Sequence, residues 1–541
     1  MNPYPSFSIY AKIFATLEVL NMAGSIEKEK KGLIVIGAGL TGLSTGLTWT
    51  MYHDVKSEPV LIIEKQPKTG GYVTSYERQG FQFDTCQMIP NISELLDFFG
   101  VSVDLREYRG YYMRIFLVDT ATDKVRSIDL PSGFENFKKE LMQKYPNNAA
   151  AIGRFLDYSR AMYMELFKLK VEPTFFEVLK TLFSCPKIVK NASKTFKEYF
   201  DQFHITEPDV VEIFTIFAEF SGLPADRVSA PVPVSAMNSL LDGAFRPQGG
   251  FIEFPKKFEE KYLKQGGELM LNTKVDKILV ENGEVRGVRL EDGREIYSDR
   301  VVTTVDPKVA LQEMVDLEAI RALDAKYAAK VETVKMSTSS MNVSIGLDDE
   351  IDLAALGLDC GYNVITTGGD VFDRLFDDME KGKIGYTDEK FRLGVICPSL
   401  TTGGKPNITL RIVPMGMSDW AQMRANDPEK YKAAKQKWAD FFIVKTEKYL
   451  IPDLRKHIKV IDVSTPATYA RYSGSPSGAI YDMAPYPDNF GRTRLKMRTP
   501  INGLFQPKFL HSVFASLLAG MQVNDMFTNR AVMGGNARYK L

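Results

Sequence analysis

Residues 32–49 read GLIVIGAGLTGLSTGLTW. The run 33–36 is short, apolar and built of strand formers, as expected of a strand buried in a parallel sheet. Gly37, Gly39 and Gly42 follow it as GxGxxG. Gly37 allows a tight turn, Gly39 lets the backbone approach a pyrophosphate, and Gly42 lets the next helix pack closely on the strand. That helix would turn its first N–H groups toward the phosphates. A second apolar run, 59–63, ends at Glu64. An acid at the end of the second strand can accept both hydroxyls of a ribose. Glu64 stands 27 positions after Gly37, so the helix–strand connection is long, and the charged stretch 52–59 accounts for the excess. Strand, glycine turn, helix, strand and acid together predict an α/β dinucleotide-binding unit.

Downstream lie Lys65-Gln66-Pro67-Lys68-Thr69-Gly70-Gly71 and then Gln79-Gly80-Phe81-Gln82-Phe83-Asp84. Two consecutive glycines can expose backbone N–H groups to a bulky anion. GxGxxG, the terminal Glu, the Gly-Gly pair and the G-F-x-F-D element together resemble the FAD-binding region of the phytoene desaturase, carotenoid isomerase and retinol saturase superfamily. Amine oxidases are its more distant relatives. The resemblance implies FAD as cofactor, with Gly37, Gly39, Gly42, Glu64, Lys65, Gly70 and Gly71 around it and the Gly-Gly pair near the ribityl and pyrophosphate.

The middle of the chain returns to the same pattern. Arg246-Pro247-Gln248-Gly249-Gly250-Phe251 resembles the family's P-x-G-G element, and a helix is expected over 252–265. Short β-runs broken by Asn282-Gly283 and Asp292-Gly293 predict hairpins. The resemblance implies a small meander beside the cofactor, with the Val275 backbone against adenine. Asp306-Pro307 reads as a helix cap. Near the carboxyl end, 472–481 resembles the family's G-x-P-x-G-x-x-Y region, which makes Tyr481 the candidate catalytic residue, as a proton donor or positioning hydroxyl. The final block departs from the family: Gln506-Pro507-Lys508-Phe509-Leu510-His511-Ser512 stands where glycines are usual, and Pro507 removes a donor. Substituted contacts and a loosely held flavin are therefore expected. Lys508 and His511 are candidates near the ring or phosphate by position.

The fold class expected is α/β: a Rossmann-like FAD-binding domain with an inserted mixed-sheet and helical substrate domain. The boundaries expected are an extension at 1–29, cofactor segments at 30–100, 241–310 and 456–541, and substrate-domain segments at 101–240 and 311–455. Phenylalanines crowd 155–220. Past Pro186 a helical wheel places Val189, Ala192, Phe196, Phe200 and Phe203 on one face and Lys187, Lys190, Lys194 and Lys197 opposite. Such a helix fits an anionic bilayer or the lid of a core. A further helix is expected over 418–449.

Composition narrows the function. The 541 residues carry 68 basic and 68 acidic side chains, so no net field steers a polyanion, and no nucleic-acid partner is expected. Hydrophobic residues at 44% and charged residues at 25% fit a folded globular protein. Cys86, Cys185, Cys360 and Cys397 form no CxxC pair, and His53, His204, His457 and His511 form no metal-spaced cluster. No metal site is expected, and a reducing, cytoplasmic setting is the default. No run of about 18 uncharged apolar residues predicts a spanning helix. The segment 9–20 reads as a short amphipathic helix without signal-peptide features. The 34 Phe and 22 Met suit a large core or an apolar-ligand cavity.

The resemblance implies an oxidoreductase acting on C–C or C=C bonds of an apolar polyene or isoprenoid lipid, by desaturation, saturation or isomerisation. An electron donor or acceptor goes with that chemistry, and reversible contact with an anionic membrane surface is an expected association. Two other readings stay open. One is an amine oxidase-like flavoenzyme. The other is a non-enzymatic prenyl or lipid carrier on the same scaffold, which the altered final block favours and the intact GxGxxG opposes.

Overall fold

The computed structural model describes residues 30–169, 175–417, 419–507 and 512–528. The 9–20 segment lies outside them. Leu33–Ile36 is wholly buried and sits at the centre of a five-stranded parallel sheet. Val60–Ile63 flanks it on one side, with Ile34 opposite Leu61, and Val301–Thr303 on the other, with Ile34 opposite Val301. Glu268–Met270 and Leu504–Phe505 form the edges. Segments far apart in sequence thus build one sheet, because each central strand needs a neighbour on both edges to satisfy its backbone hydrogen bonds, while packed elements cover its faces.

Three helices contribute to one core cluster with this sheet: Leu40–Tyr52, Glu253–Lys264 and Val513–Thr528. Leu43, Leu47, Trp49, Phe254, Phe258, Leu517 and Met521 fill that core. Ser44 donates a hydrogen bond to the Ser516 carbonyl at 3.1 Å, tying the first and last helices together. Residues of the antiparallel meander Val275–Glu281, Glu284–Leu290, Glu295–Tyr297 share a second cluster with Ile34 and Ile36. Its first turn is Asn282-Gly283, both at positive φ, as a tight hairpin of this twist requires.

A second, seven-stranded sheet is mixed. Its order is Ile458–Ser464, Ser339–Leu347, Asn407–Met415, Arg392–Ile396, Tyr362–Thr366, Tyr111–Asp119, Lys124–Pro131. Tyr362–Thr366 and Tyr111–Asp119 run parallel, and the other pairs antiparallel. A helical layer containing Ala149–Leu166, Pro208–Glu219 and Pro231–Leu241 shares one core with it, and Pro428–Tyr449 shares the other. The parallel cofactor-type sheet and the mixed-sheet and helical insertion are the architecture the motifs imply.

Two expected helices are each divided. The wheel past Pro186 is not one helix but Pro186–Asn191 followed by Phe196–Asp201. Thr195 and Glu198 form a reciprocal capping box that starts the second, at 3.2 and 2.8 Å. Phe196 and Phe200 are therefore core residues, with Phe200 at 5.2 Å and Phe214 at 4.5 Å from the Phe155 ring. The exposed apolar face lies one helix earlier, on Phe175–Ser184, where Phe176 is 80% and Phe183 86% exposed. The stretch 418–449 holds Trp420–Asn426 and Pro428–Tyr449, the latter restarted by the Asp427 side chain accepting from the Lys430 N–H at 3.0 Å. No described helix is long and apolar enough to cross a membrane.

Candidate functional site

A cavity of about 2250 Å³ runs between the two sheets. It exceeds the roughly 300–1,000 Å³ of an ordinary small-molecule site, which leaves room for a dinucleotide and a second long ligand. At one end it is lined by Gly37, Gly39, Glu64, Lys65, Gly70, Gly71 and Val275. At the other it is lined by Leu166, Phe167, Leu182, Val189, Phe220 and Leu240.

Backbone geometry makes the first end. A Cβ on Gly42 would stand 1.9 Å from the Gly37 carbonyl oxygen, so only glycine lets the Leu40–Tyr52 helix start this close to the strand. That helix begins at Gly39 with no side-chain cap, leaving its first N–H groups to whatever occupies the cavity. The Gly70 N–H donates to the Ala38 carbonyl at 2.9 Å, and a Cβ on Gly71 would come within 3.2 Å of the Gly39 Cα. The two glycine motifs therefore meet and form one cradle without side chains. Glu64 is fixed beside it: Oε2 accepts from the Ala38 N–H and Oε1 from the Gln66 N–H, each at 2.8 Å. Each carboxylate oxygen keeps acceptor capacity for a hydroxyl. The Thr273 N–H donates to the Glu64 carbonyl at 2.9 Å and sets Val275 nearby, at the start of its strand. Desolvation pulls the Lys65 ammonium below its usual range, with Glu64 opposing.

Asp306 caps, as its sequence context implies: Oδ1 accepts from the Lys308 N–H at 2.9 Å. Its Oδ2 also accepts from Ser475 Oγ at 2.6 Å, pinning the 472–481 loop to the parallel sheet. Lys508 and His511 lie outside the described residues. The Ser512 hydroxyl, next in sequence, accepts from the Ala515 N–H at 3.0 Å, and Val513 to Ser516 line the cavity.

Tyr481 faces the cavity from the mixed-sheet side. Its N–H donates to Ser337 Oγ at 2.9 Å, and its ring fills the space beside Gly222. Burial pushes its hydroxyl up, against a smaller pull from Arg411, so it stays protonated at neutral pH. Around it lie Cys86, whose thiol burial pushes up to about 11, and Tyr469, also pushed up by burial. Sequence reading missed Arg411, Cys86, Tyr469 and Gln87, all of which line the cavity. Arg411 had a visible signal, a lone cation in the otherwise apolar run NITLRIVPM. The others had none.

Behind Tyr481 is a second cavity of about 30 Å³ lined also by Glu219, Tyr362, Arg392 and Arg411. Arg392 bridges Glu212 at 2.5 Å and Glu219 at 2.7 Å. Burial, reinforced by Glu212 and Asp373, pushes Glu219 well above the carboxylate range despite Arg392. Asp348, Glu350 and His457 group at the edge of the mixed sheet, outside the cavity, and Asp348 is already paired with His457 at 2.8 Å and Lys459 at 3.2 Å.

The family model of flavin containing amine oxidoreductases matches residues 55–339, more than half of the chain. A chloroplastic prolycopene isomerase of Daucus carota is 25% identical over 531 residues, covering 90% of this chain and 80% of the relative. A 4,4'-diapolycopene oxygenase of Methylomonas sp is 24% identical over 487 residues, covering 84% and 88%. An oxidoreductase of Methanosarcina mazei superimposes with a TM-score of 0.60 at 18% identity, over 92% of this chain and 100% of that one, which is a likeness of fold.

Proposed function

The chain belongs to the flavin containing amine oxidoreductase family, and from that membership we propose that it is an FAD-dependent oxidoreductase acting on carbon–carbon bonds of a long apolar polyene or isoprenoid lipid. The observation that carries the reading is one cavity with a side-chain-free glycine cradle at one end and an apolar wall at the other. Relatives named for lycopene-type polyenes support the substrate class. Gly37, Gly39, Gly42, Gly70 and Gly71 would hold the pyrophosphate region, Glu64 the ribose, Val275 the adenine through its backbone, and Lys65 would supply positive charge at the rim. Lys508 and His511 would add contacts ahead of the last helix. When bound, FAD supplies hydride or electron exchange, which no side chain here can supply. Leu166, Phe167, Leu182, Val189, Phe220 and Leu240 would exclude water from an apolar chain and orient it through shape. Tyr481, neutral and buried, would hold or deliver a proton at its hydroxyl.

The cofactor unit would comprise 30–100, 241–310 and a final segment, and the substrate unit 101–240 and 311–455. The final segment is expected over 456–541 from the sequence, and the pairing of Ile458–Ser464 in the mixed sheet supports starting it after 464. Anaerobic reconstitution with FAD, followed by extraction and mass analysis of copurified ligand, tests the whole reading. The expected result is a flavin spectrum and a long unsaturated lipid. Peroxide release on adding amines would favour the amine oxidase reading. Failure to take up FAD would favour a carrier.

A second reading concerns access. Val178, Thr181 and Leu182 of the Phe175–Ser184 helix line the cavity, while Leu182 and Phe183 are exposed and Lys180 and Lys190 stand beside them. Apolar side chains flanked by lysines suit reversible docking on anionic lipid, from which an apolar substrate could enter. Sedimentation with anionic vesicles should be salt-sensitive and should fall several-fold in Phe183→Ser/Leu182→Ser. Equal sedimentation of variant and parent would end this reading.

A further inference from the structure

Arg411 differs from the buried Arg246 and Arg392 in that it is half-buried and lines the main cavity. Arg246 is matched by Asp84, and Arg392 by Glu212 and Glu219. The Arg411 guanidinium instead donates to two neutral acceptors, Gln87 Oε1 and the Thr85 carbonyl, each at 2.7 Å. Its Nε has no partner, and no carboxylate of the described residues lies within ion-pair distance. The groups that face it are Tyr362, Tyr469, Tyr481 and Cys86, all held protonated by burial. Asn342, opposite Arg411 in the strand register, adds an amide whose Oδ1 also lacks a partner. Arg411 and Asn342 both line the main cavity.

A ligand that fills the cavity would take this half-buried positive charge out of water, and a charge withdrawn from water needs an opposing charge or strong dipole. The described residues provide two carbonyl dipoles but no carboxylate at this point, and the open side of the guanidinium is the cavity. Arg411, Tyr469 and Tyr481 present donors there and no anionic acceptor. An apolar chain without heteroatoms would leave those donors unmatched, whereas a carboxylate or carbonyl would accept from them.

We propose that Arg411 anchors an oxygen-bearing group of the substrate, so that the preferred ligand is an oxygenated polyene or isoprenoid, a carboxylate above all, rather than the pure hydrocarbon. This rests on the apolar-ligand reading above and narrows it. Arg411 acts as a specificity residue, and Tyr469 and Tyr481 complete the polar end of an otherwise apolar tunnel.

The test uses the full FAD-reconstituted chain and two probes, a polyene carboxylic acid and the hydrocarbon with the same conjugated chain, titrated by fluorescence quenching. The parent should bind the acid about tenfold or more tighter than the hydrocarbon, the scale of a charge-assisted hydrogen bond. Arg411→Met should bring that ratio close to one while leaving hydrocarbon affinity nearly unchanged. Arg411→Gln, which keeps a neutral polar side chain at this position of the strand, guards against loss of fold and should behave as Arg411→Met does. A ratio near one in the parent, or a preference that survives both substitutions, overturns the proposal. So does a variant that changes only the flavin spectrum, since Arg411 would then serve the cofactor. Binding of neither probe would overturn the apolar-ligand reading itself.

Discussion

Two walls of the cavity are built by opposite means. At the glycine cradle the wall is main chain: Gly39, Gly70 and Gly71 contribute no side chains, and Glu64 is positioned by backbone N–H groups. At the polar patch around Arg411 the wall is side chain, from the Thr85–Gln87 stretch, strand Asn407–Met415 and the 472–481 loop. A wall made of backbone tolerates almost no added atoms. A wall made of side chains tolerates exchange so long as no buried charge is stranded.

Gly42→Val should have the largest effect. The added carbon would meet the Gly37 carbonyl oxygen at 1.9 Å, and neither backbone can withdraw without breaking the strand–helix junction. Little folded protein and no flavin retention are expected, read by yield and by absorbance of whatever is recovered. Normal flavin content would show that this close approach is not needed.

Arg392→Met comes next. It leaves Glu212 buried without its cation, and breaking a buried pair this way costs about 3–5 kcal/mol. Denaturant unfolding measures it. Adding Glu212→Met and Glu219→Leu should recover most of the loss, because the cost lies in the stranded charge rather than in lost packing.

Tyr481→Phe should leave folding intact and lower turnover by about a hundredfold if the hydroxyl handles a proton in the reaction. Unchanged turnover on a polyene substrate would remove Tyr481 from catalysis and leave it as part of the wall.

The smallest effect concerns pH. Burial, with Asp226 and Asp370 adding, pushes the Asp373 carboxyl up to about 6. The folded state then holds this proton more tightly than the unfolded chain does. The stability it contributes is full below the ordinary carboxyl value near 4 and is lost as pH rises through about 6. Asp373→Asn should therefore be more stable than the parent at neutral pH, by about 1 kcal/mol after solvent screening, with the difference vanishing in acid. Melting curves at both pH values read it, and a pH-independent difference would place the effect in packing instead.

Local patterns made the backbone-built end legible. The run 33–36, GxGxxG, Glu64 and the Asn282-Gly283 turn each encode their geometry within a few residues, because glycine conformation and strand burial are short-range properties. Asp306 was legible as a cap for the same reason, while its bond to Ser475 was not. The wheel past Pro186 failed since periodicity alone treats the chain as continuous. Thr195 and Glu198, the two residues of a capping box that restarts a helix, carried the contrary signal. That break turned Phe196 and Phe200 into core and moved the exposed apolar face to Phe175–Ser184.

By itself, then, the sequence determined the cofactor-type sheet, the glycine cradle and the Glu64 acceptor, since these depend on residues whose backbone preferences act locally. Only the tertiary structure decided that Arg392 meets two acids while Arg411 meets none among the described residues, and that Tyr481, Tyr469 and Cys86 share one wall. Charge balance in a protein interior is a property of which distant strands and loops become neighbours, and no local pattern along the chain records that.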